Sequence, residues 1–158
     1  MTATIVAISA ALSLPMLEGV GAGAAASPTV LRFFTHDTQQ TMLDLGPPGA
    51  GPGDQLVFSG DVFTQPGGTQ LGRLGGQVTT LSGDHTAGEI LFACTFVLGG
   101  GQIAVQAFGD SAAVLGRGET VPVLILGGTG IYAGARGDGT IQVPNQTDAN
   151  FVLNVVTA

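Results

Sequence analysis

Glu89-Ile90-Leu91-Phe92-Ala93-Cys94-Thr95-Phe96-Val97-Leu98-Gly99-Gly100-Gly101-Gln102-Ile103-Ala104-Val105-Gln106-Ala107-Phe108 is the stretch on which the fold turns. Side chains alternate across an extended chain, so Ile90, Phe92, Cys94, Phe96 and Leu98 share one face. The other face, Leu91, Ala93, Thr95 and Val97, is also mostly apolar. The glycine triplet 99–101 is the tightest hairpin signal in the chain, and it returns the backbone into Gln102–Phe108. A strand that is apolar on both faces needs cover on both.

The same pattern extends outward in both directions. Upstream lie the strand candidates Val30–Thr35, Gln55–Phe63 and Leu71–Leu81. A Gly-Pro loop at Met42–Gly53, the turn Gln65-Pro66-Gly67-Gly68 and the turn Ser82-Gly83-Asp84 separate them. Gly75-Gly76 predicts a bulge or sharp bend inside the third candidate. Downstream, Val121–Leu126, Thr140–Val143 and Phe151–Val156 complete a set of eight, with no convincing helix after residue 27. Eight strands joined by short turns suit an all-β, antiparallel up-and-down barrel, which leaves no exposed edge. A β-sandwich is the other arrangement compatible with the pattern. The inside of a barrel covers one face of Glu89–Leu98 and of Phe151–Val156. A second subunit would cover the other, so a homo-oligomer is expected.

Composition narrows the function. At 158 residues the chain suits one domain and can bury roughly two-thirds of its unfolded surface without a metal or disulfide staple. Net charge is −7, and the four basic residues, Arg32, Arg73, Arg117 and Arg136, form no cluster. Nucleic acid and anionic membrane surfaces need several cationic contacts, so neither is an expected partner. A neutral or weakly charged small apolar organic molecule fits better. Cys94 is the only cysteine; it lies in an apolar run and reads as a buried structural thiol. Two histidines without a close carboxylate partner give no reason to expect a metal site.

Residues 1–27 read as a leader. Thr4–Leu17 has the length of a signal-peptide apolar region and is too short for a membrane span. Gly21–Ser27 offers Ala-x-Ala frames for cleavage, although no Lys or Arg precedes the apolar run. Export to the outside of a bacterial cell is therefore expected, with a flexible apolar leader on a cytoplasmic protein as the alternative. The folded domain is assigned to 28–158, with no membrane span in the mature protein.

Leu126-Gly127-Gly128-Thr129-Gly130-Ile131-Tyr132-Ala133-Gly134-Ala135-Arg136-Gly137 resembles the Gly-Gly-Thr-Gly-x-[Tyr/Phe]-x-x-Ala-Arg-Gly signature of dirigent and allene oxide cyclase-like barrels. Three further matches fall in the family's order. They are Phe34-Thr35-His36-Asp37, Asp54-Gln55-Leu56-Val57-Phe58, and Leu71-Gly72-Arg73 with Gly76. The resemblance covers about residues 30–157. It implies an eight-stranded barrel, often trimeric, whose apolar cavity directs cyclisation or stereochemistry of a small organic substrate. Ile131 stands where many dirigent proteins carry an acid after the Gly-Thr-Gly, which separates this chain from that archetype. The Arg-only, Gly- and Ala-rich composition goes with a GC-rich bacterial source.

Asp37 is the first catalytic candidate. In the family register it follows a strand end and points toward the cavity mouth. A carboxyl in an apolar pocket has a raised pKa and can donate a proton near neutral pH. Arg136 is the second, as a guanidinium that anchors a substrate oxygen. His36, Asp61, Tyr132 and Phe58 complete the substrate-binding candidates. His36 and Asp37 are adjacent, so both line one cavity only if the strand ends between them. Asp61 lies mid-strand, and Tyr132, the only tyrosine, could stack on a ligand. The Gly-Gly-Thr-Gly at 127–130 is no phosphate loop, because the chain has no Lys and no helix follows. No cofactor is implied. The leading expectation is a cofactor-independent cyclase or isomerase. The rivals are a non-catalytic, exported lipocalin-like binding protein and a structural domain with a packed interior.

Overall fold

A computed structural model describes residues 27–157. The leader lies outside the described residues except for Ser27, as does Ala158. Eight antiparallel strands form a closed barrel in chain order: β1 Thr29–Leu43, β2 Gln55–Phe63, β3 Gln70–Gly83, β4 Gly88–Leu98, β5 Gly101–Asp110, β6 Thr120–Gly128, β7 Arg136–Gln142 and β8 Asp148–Val156. The ring closes where β1 pairs with β8, with Phe33 opposite Phe151. Closure removes the sandwich alternative and leaves no free edge. No helix among the described residues is long and apolar enough to cross a membrane.

Alternation decides what fills the barrel. Phe33, Val62, Phe96, Ile103, Phe151 and Leu153 point inward and are buried. The rings of Phe33, Phe96 and Phe151 pack with centroids 4.7, 5.5 and 4.9 Å apart, two contacts edge-on and one stacked. They make one half of the interior solid. The β6–β7 connection covers that closed end. Ile131 N–H donates to Gly100 O at 2.9 Å, and Thr129 N–H donates to Gln102 O at 2.9 Å, docking the connection on the β4–β5 hairpin. Gly130 has φ +63°, and a Cβ there would run into Gly100 O and lie 3.0 Å from Gly101 Cα. The Gly-Gly-Thr-Gly signature is thus the lid of the closed end.

The structure departs from the sequence reading in three places. First, β1 runs on to Leu43, well past Thr35, with a bulge between Asp37 and Gln39. Thr38–Thr41 is polar and carries no apolar alternation, but its backbone pairs with β2 at the rim. Second, Gly75-Gly76 forms no bulge; both residues pair in continuous register with β2 and β4. Gly76 is there because a Cβ would sit 2.8 Å from Phe58 Cζ and 2.6 Å from Cys94 Cβ. The irregularities of β3 and its partners fall at Val62/Phe63 and Thr80/Ser82 instead. Third, Ala112–Gly116 forms a single helical turn, and its Ala113 N–H donates to Asp110 Oδ1 at 2.8 Å. That turn carries Val114 and Leu115 over the open end.

Candidate functional site

The half of the barrel opposite the closed end is hollow. An inner cavity of about 70 Å³ lies under the mouth, walled by Phe58, Phe92, Phe151, Val78, Ile90 and Ile141, among others. One water needs roughly 10–15 Å³ of such space, so the cavity accepts a small apolar group rather than a whole drug-sized molecule. It continues into an outer vestibule of about 400 Å³, with Gln40, Leu56, Val78, Leu115, Val143 and Gln146 common to both. Phe58 and Phe92 stack at 5.8 Å with 12° between their planes, and Phe92 reaches Phe151 at 6.3 Å. Phe151 is therefore both the floor of the cavity and the roof of the packed half.

Asp37 lies on the inner wall of this cavity. It is placed there by strand alternation, following Phe33 and Thr35 on the inward face, and not by a strand end as the family register suggested. Its N–H donates to Thr147 O at 2.7 Å, which ties β1 to the β7–β8 turn. Its Oδ2 accepts from Gln40 Nε2 at 2.9 Å. The same Gln40 amide donates to Gln146 O at 2.6 Å, so the carboxyl is braced against the rim. Burial pushes the Asp37 carboxyl above the usual aspartate range. The Gln40 hydrogen bond and the nearby His36 oppose that shift, and the neighbouring Asp148 adds to it.

His36 points the other way, as alternation requires, and its side chain is 51% exposed. Its Nδ1 contacts Asp148 Oδ1 at 2.7 Å. This corrects the expectation that neither histidine has a close carboxylate partner: the two residues are 112 positions apart and meet through β1–β8 pairing. The His36 contact, followed by the 2.8 Å bond from Asn145 Nδ2, holds the Asp148 carboxyl below its usual range. Among the described residues, no group of three or more His, Cys, Asp or Glu side chains is placed to hold a metal.

The remaining candidates are dispersed. Phe58 lines the cavity. Asp61 is on the outer wall, where its Oδ1 accepts from Gln70 Nε2 at 2.8 Å. Tyr132 packs against the core at the closed end. Arg136 opens β7 at that same end, opposite Val156, and is exposed. Asp37 and Arg136 do not converge. Cys94 is buried, and burial pushes its thiol well above the ordinary range, which leaves it inert as a nucleophile.

Gln40 and Asp148 have no counterpart in the sequence reading, and Thr35 and Asp54 appear there only inside family matches, with no role assigned. Asp54 is buried where the β1–β2 connection enters β2. Its carboxylate accepts from the N–H groups of Leu45 (2.9 Å) and Gly51 (2.8 Å), drawing the 44–53 loop back onto the start of β2. Those two bonds hold its pKa down. Its sequence signals are its place directly after the Gly-Pro loop and at the head of the Asp54–Phe58 family match.

No family model matches the sequence, and no curated protein matches it significantly. Solved structures do match. "Pyocyanin demethylase" superposes with a TM-score of 0.68 at 23% identity, covering 81% of this chain and 100% of that one. The Diels-Alderase AbmU from Streptomyces koyangensis gives 0.65 at 21% identity, covering 82% of this chain; the match spans 64% of AbmU's length. A pterocarpan synthase dirigent protein gives 0.66 at 17% identity, covering 92% and 98%. The chain has the fold of the allene oxide cyclase and dirigent-like barrels.

Proposed function

We propose that this protein is a cyclisation-directing barrel. It draws a small, mainly apolar organic molecule into the mouth, buries part of it against Phe58, Phe92 and Phe151, and holds it in one folded conformer. Confinement of this kind contributes several kcal/mol through orientation alone, about 7–11 at the extreme. Asp37 is the group that gives or takes a proton or polarises the reacting end, and Gln40 aims it. The observation that carries this reading is the single half-buried acid on the inner wall of a hollow, aromatic-lined half-barrel. Structural neighbours that are named as Diels-Alderases and dirigent proteins support it. The oxygen anchor assigned from sequence to Arg136 has no place in this arrangement.

The test is a screen of linear polyene, diene–dienophile and epoxide substrates, read by chiral chromatography. The expected result is a cyclised product formed above the buffer rate with an enantiomeric excess. Asp37→Asn should cut that turnover by about 10²-fold, the lower end for a lost general acid, while binding persists. Substrates that bind but cyclise at the background rate, with racemic product, would leave a carrier.

We also propose that the barrel works as a homo-oligomer, with a trimer favoured by the family resemblance. Its outer wall over β4–β6 exposes Phe108, Leu124 and Leu126 beside the partly covered Leu91 and Val97. Light scattering at micromolar concentration should give a multiple of 15.7 kDa. A clean monomer would refute it.

A further inference from the structure

We infer that the mouth selects a positively charged ligand: an apolar skeleton carrying a cationic nitrogen. This names the substrate class of the site above and rests on that reading of it.

The argument is the distribution of charge along the barrel axis. Connections alternate between the two ends, so β1–β2, β3–β4, β5–β6 and β7–β8 all lie at the mouth. The first carries Asp44 and Asp54. The second carries Asp84, with Glu89 just inside β4, and the third lies between Asp110 and Glu119. Asp37 lines the inner cavity itself, and Asp148 borders it with its carboxylate turned to His36 on the outer face. Eight of the ten Asp and Glu side chains among the described residues are thus at one end.

Against them stands Arg117 alone, and it is engaged, with Nε 2.6 Å from Glu119 and a terminal nitrogen 4.0 Å from Asp110. The other three arginines lie toward the closed end: Arg32 opposite Val152, Arg73 opposite Val97 and Arg136 opposite Val156. The histidines of the mouth are His36, already paired with Asp148, and His85, exposed in the β3–β4 turn.

Several of these carboxylates are held ionised by their hydrogen bonds. Asp84 is held below its usual range by Thr86 Oγ1 and by the N–H groups of Thr86 and Ala87. Asp54 and Asp148 are held down as described above. An opening ringed by loops that carry one sign of charge, with apolar walls beneath, focuses its field inward. An anion would have to pass this acidic rim to reach the cavity.

Three naphthalene probes of matched size test this by calorimetry: naphthylmethyl-trimethylammonium, naphthylmethanol and naphthoate. At 0.01 M salt the cation should bind about tenfold tighter than the anion, with the alcohol between them. Raising salt to 1 M cuts the Debye length from about 30 Å to about 3 Å, so the gap should shrink several-fold. The double variant Asp44→Asn/Glu119→Gln should weaken the cation, strengthen the anion and leave the alcohol unchanged. An anion that binds as well as the cation, or a gap indifferent to salt, overturns the inference while the cavity reading survives. Failure of all three probes to bind overturns the cavity reading, and this inference with it.

Discussion

Phe151 and Phe58 are both aromatic and both inward-facing, yet the structure assigns them very different costs of removal. Phe151 is 2% exposed and packs against three rings, those of Phe33, Phe92 and Phe96. Truncating it to Ala removes the full transfer term and leaves a void between the packed half and the cavity, costing about 3–5 kcal/mol. Phe58 borders existing empty space and stacks on Phe92 alone. Phe58→Ala enlarges an open cavity without creating a closed one, so mainly the transfer term is lost, about 1–2 kcal/mol. For a chain of this length 1 kcal/mol moves Tm by roughly 2–4 °C, so Phe151→Ala should lower Tm by about 10–15 °C and Phe58→Ala by about 5 °C. Circular dichroism on urea and thermal denaturation reads both. If Phe151→Ala does not fold, Phe151→Leu keeps the comparison, and it should still cost more than Phe58→Leu. A Phe58 variant at least as destabilised as its Phe151 counterpart would mean that the interior is not solid below and hollow above.

Gln40→Leu removes the hydrogen bond that opposes burial at Asp37, so the Asp37 pKa should rise further, as read by carboxyl-carbon NMR; no upward movement would remove Gln40 from its bracing role. Asp54, Asp84 and Asp148 have folded-state pKa values below the ordinary aspartate value of 3.8, so the stability they contribute is present above about pH 4 and lost as pH falls through their depressed values. Asp37 is shifted the other way and favours folding in acid, but it is one group against three. Urea midpoints measured from pH 6 to pH 2 should therefore fall in acid, and Asp54→Asn should flatten that fall while lowering the midpoint at pH 7. An unchanged acid slope in Asp54→Asn would contradict the loop geometry.

The β4–β5 hairpin is legible in the sequence because alternation and a glycine triplet agree there, and the paired strands follow residue by residue from Glu89/Asp110 to Leu98/Gly101. Gly75-Gly76 was misread because a glycine pair marks either a bend or a close approach, and only the ring of Phe58 tells which. The rim extension of β1 carries no apolar signal, since Thr38–Thr41 is held by backbone pairing with little burial. That extension also hid Gln40, whose value depends on Asp37 three residues before it and Gln146 across the mouth. The motif around Arg136 was recognisable, but a motif does not say at which end of a barrel its side chain emerges; the direction of β7 does. The His36–Asp148 contact joins the first strand to the last, and no local pattern announces it.

The central claim is that Asp37 is a working acid inside a dry pocket rather than a solvated turn residue. Carboxyl-carbon NMR of selectively labelled protein, titrated from pH 2 to pH 8 and assigned by Asp37→Asn, measures this without any substrate. The account predicts that Asp37 titrates above the free-aspartate value of 3.8, and that an apolar ligand seated on Phe58 and Phe92 raises it further by excluding water. An Asp37 that titrates at or below that value, and does not respond to ligand, would contradict it.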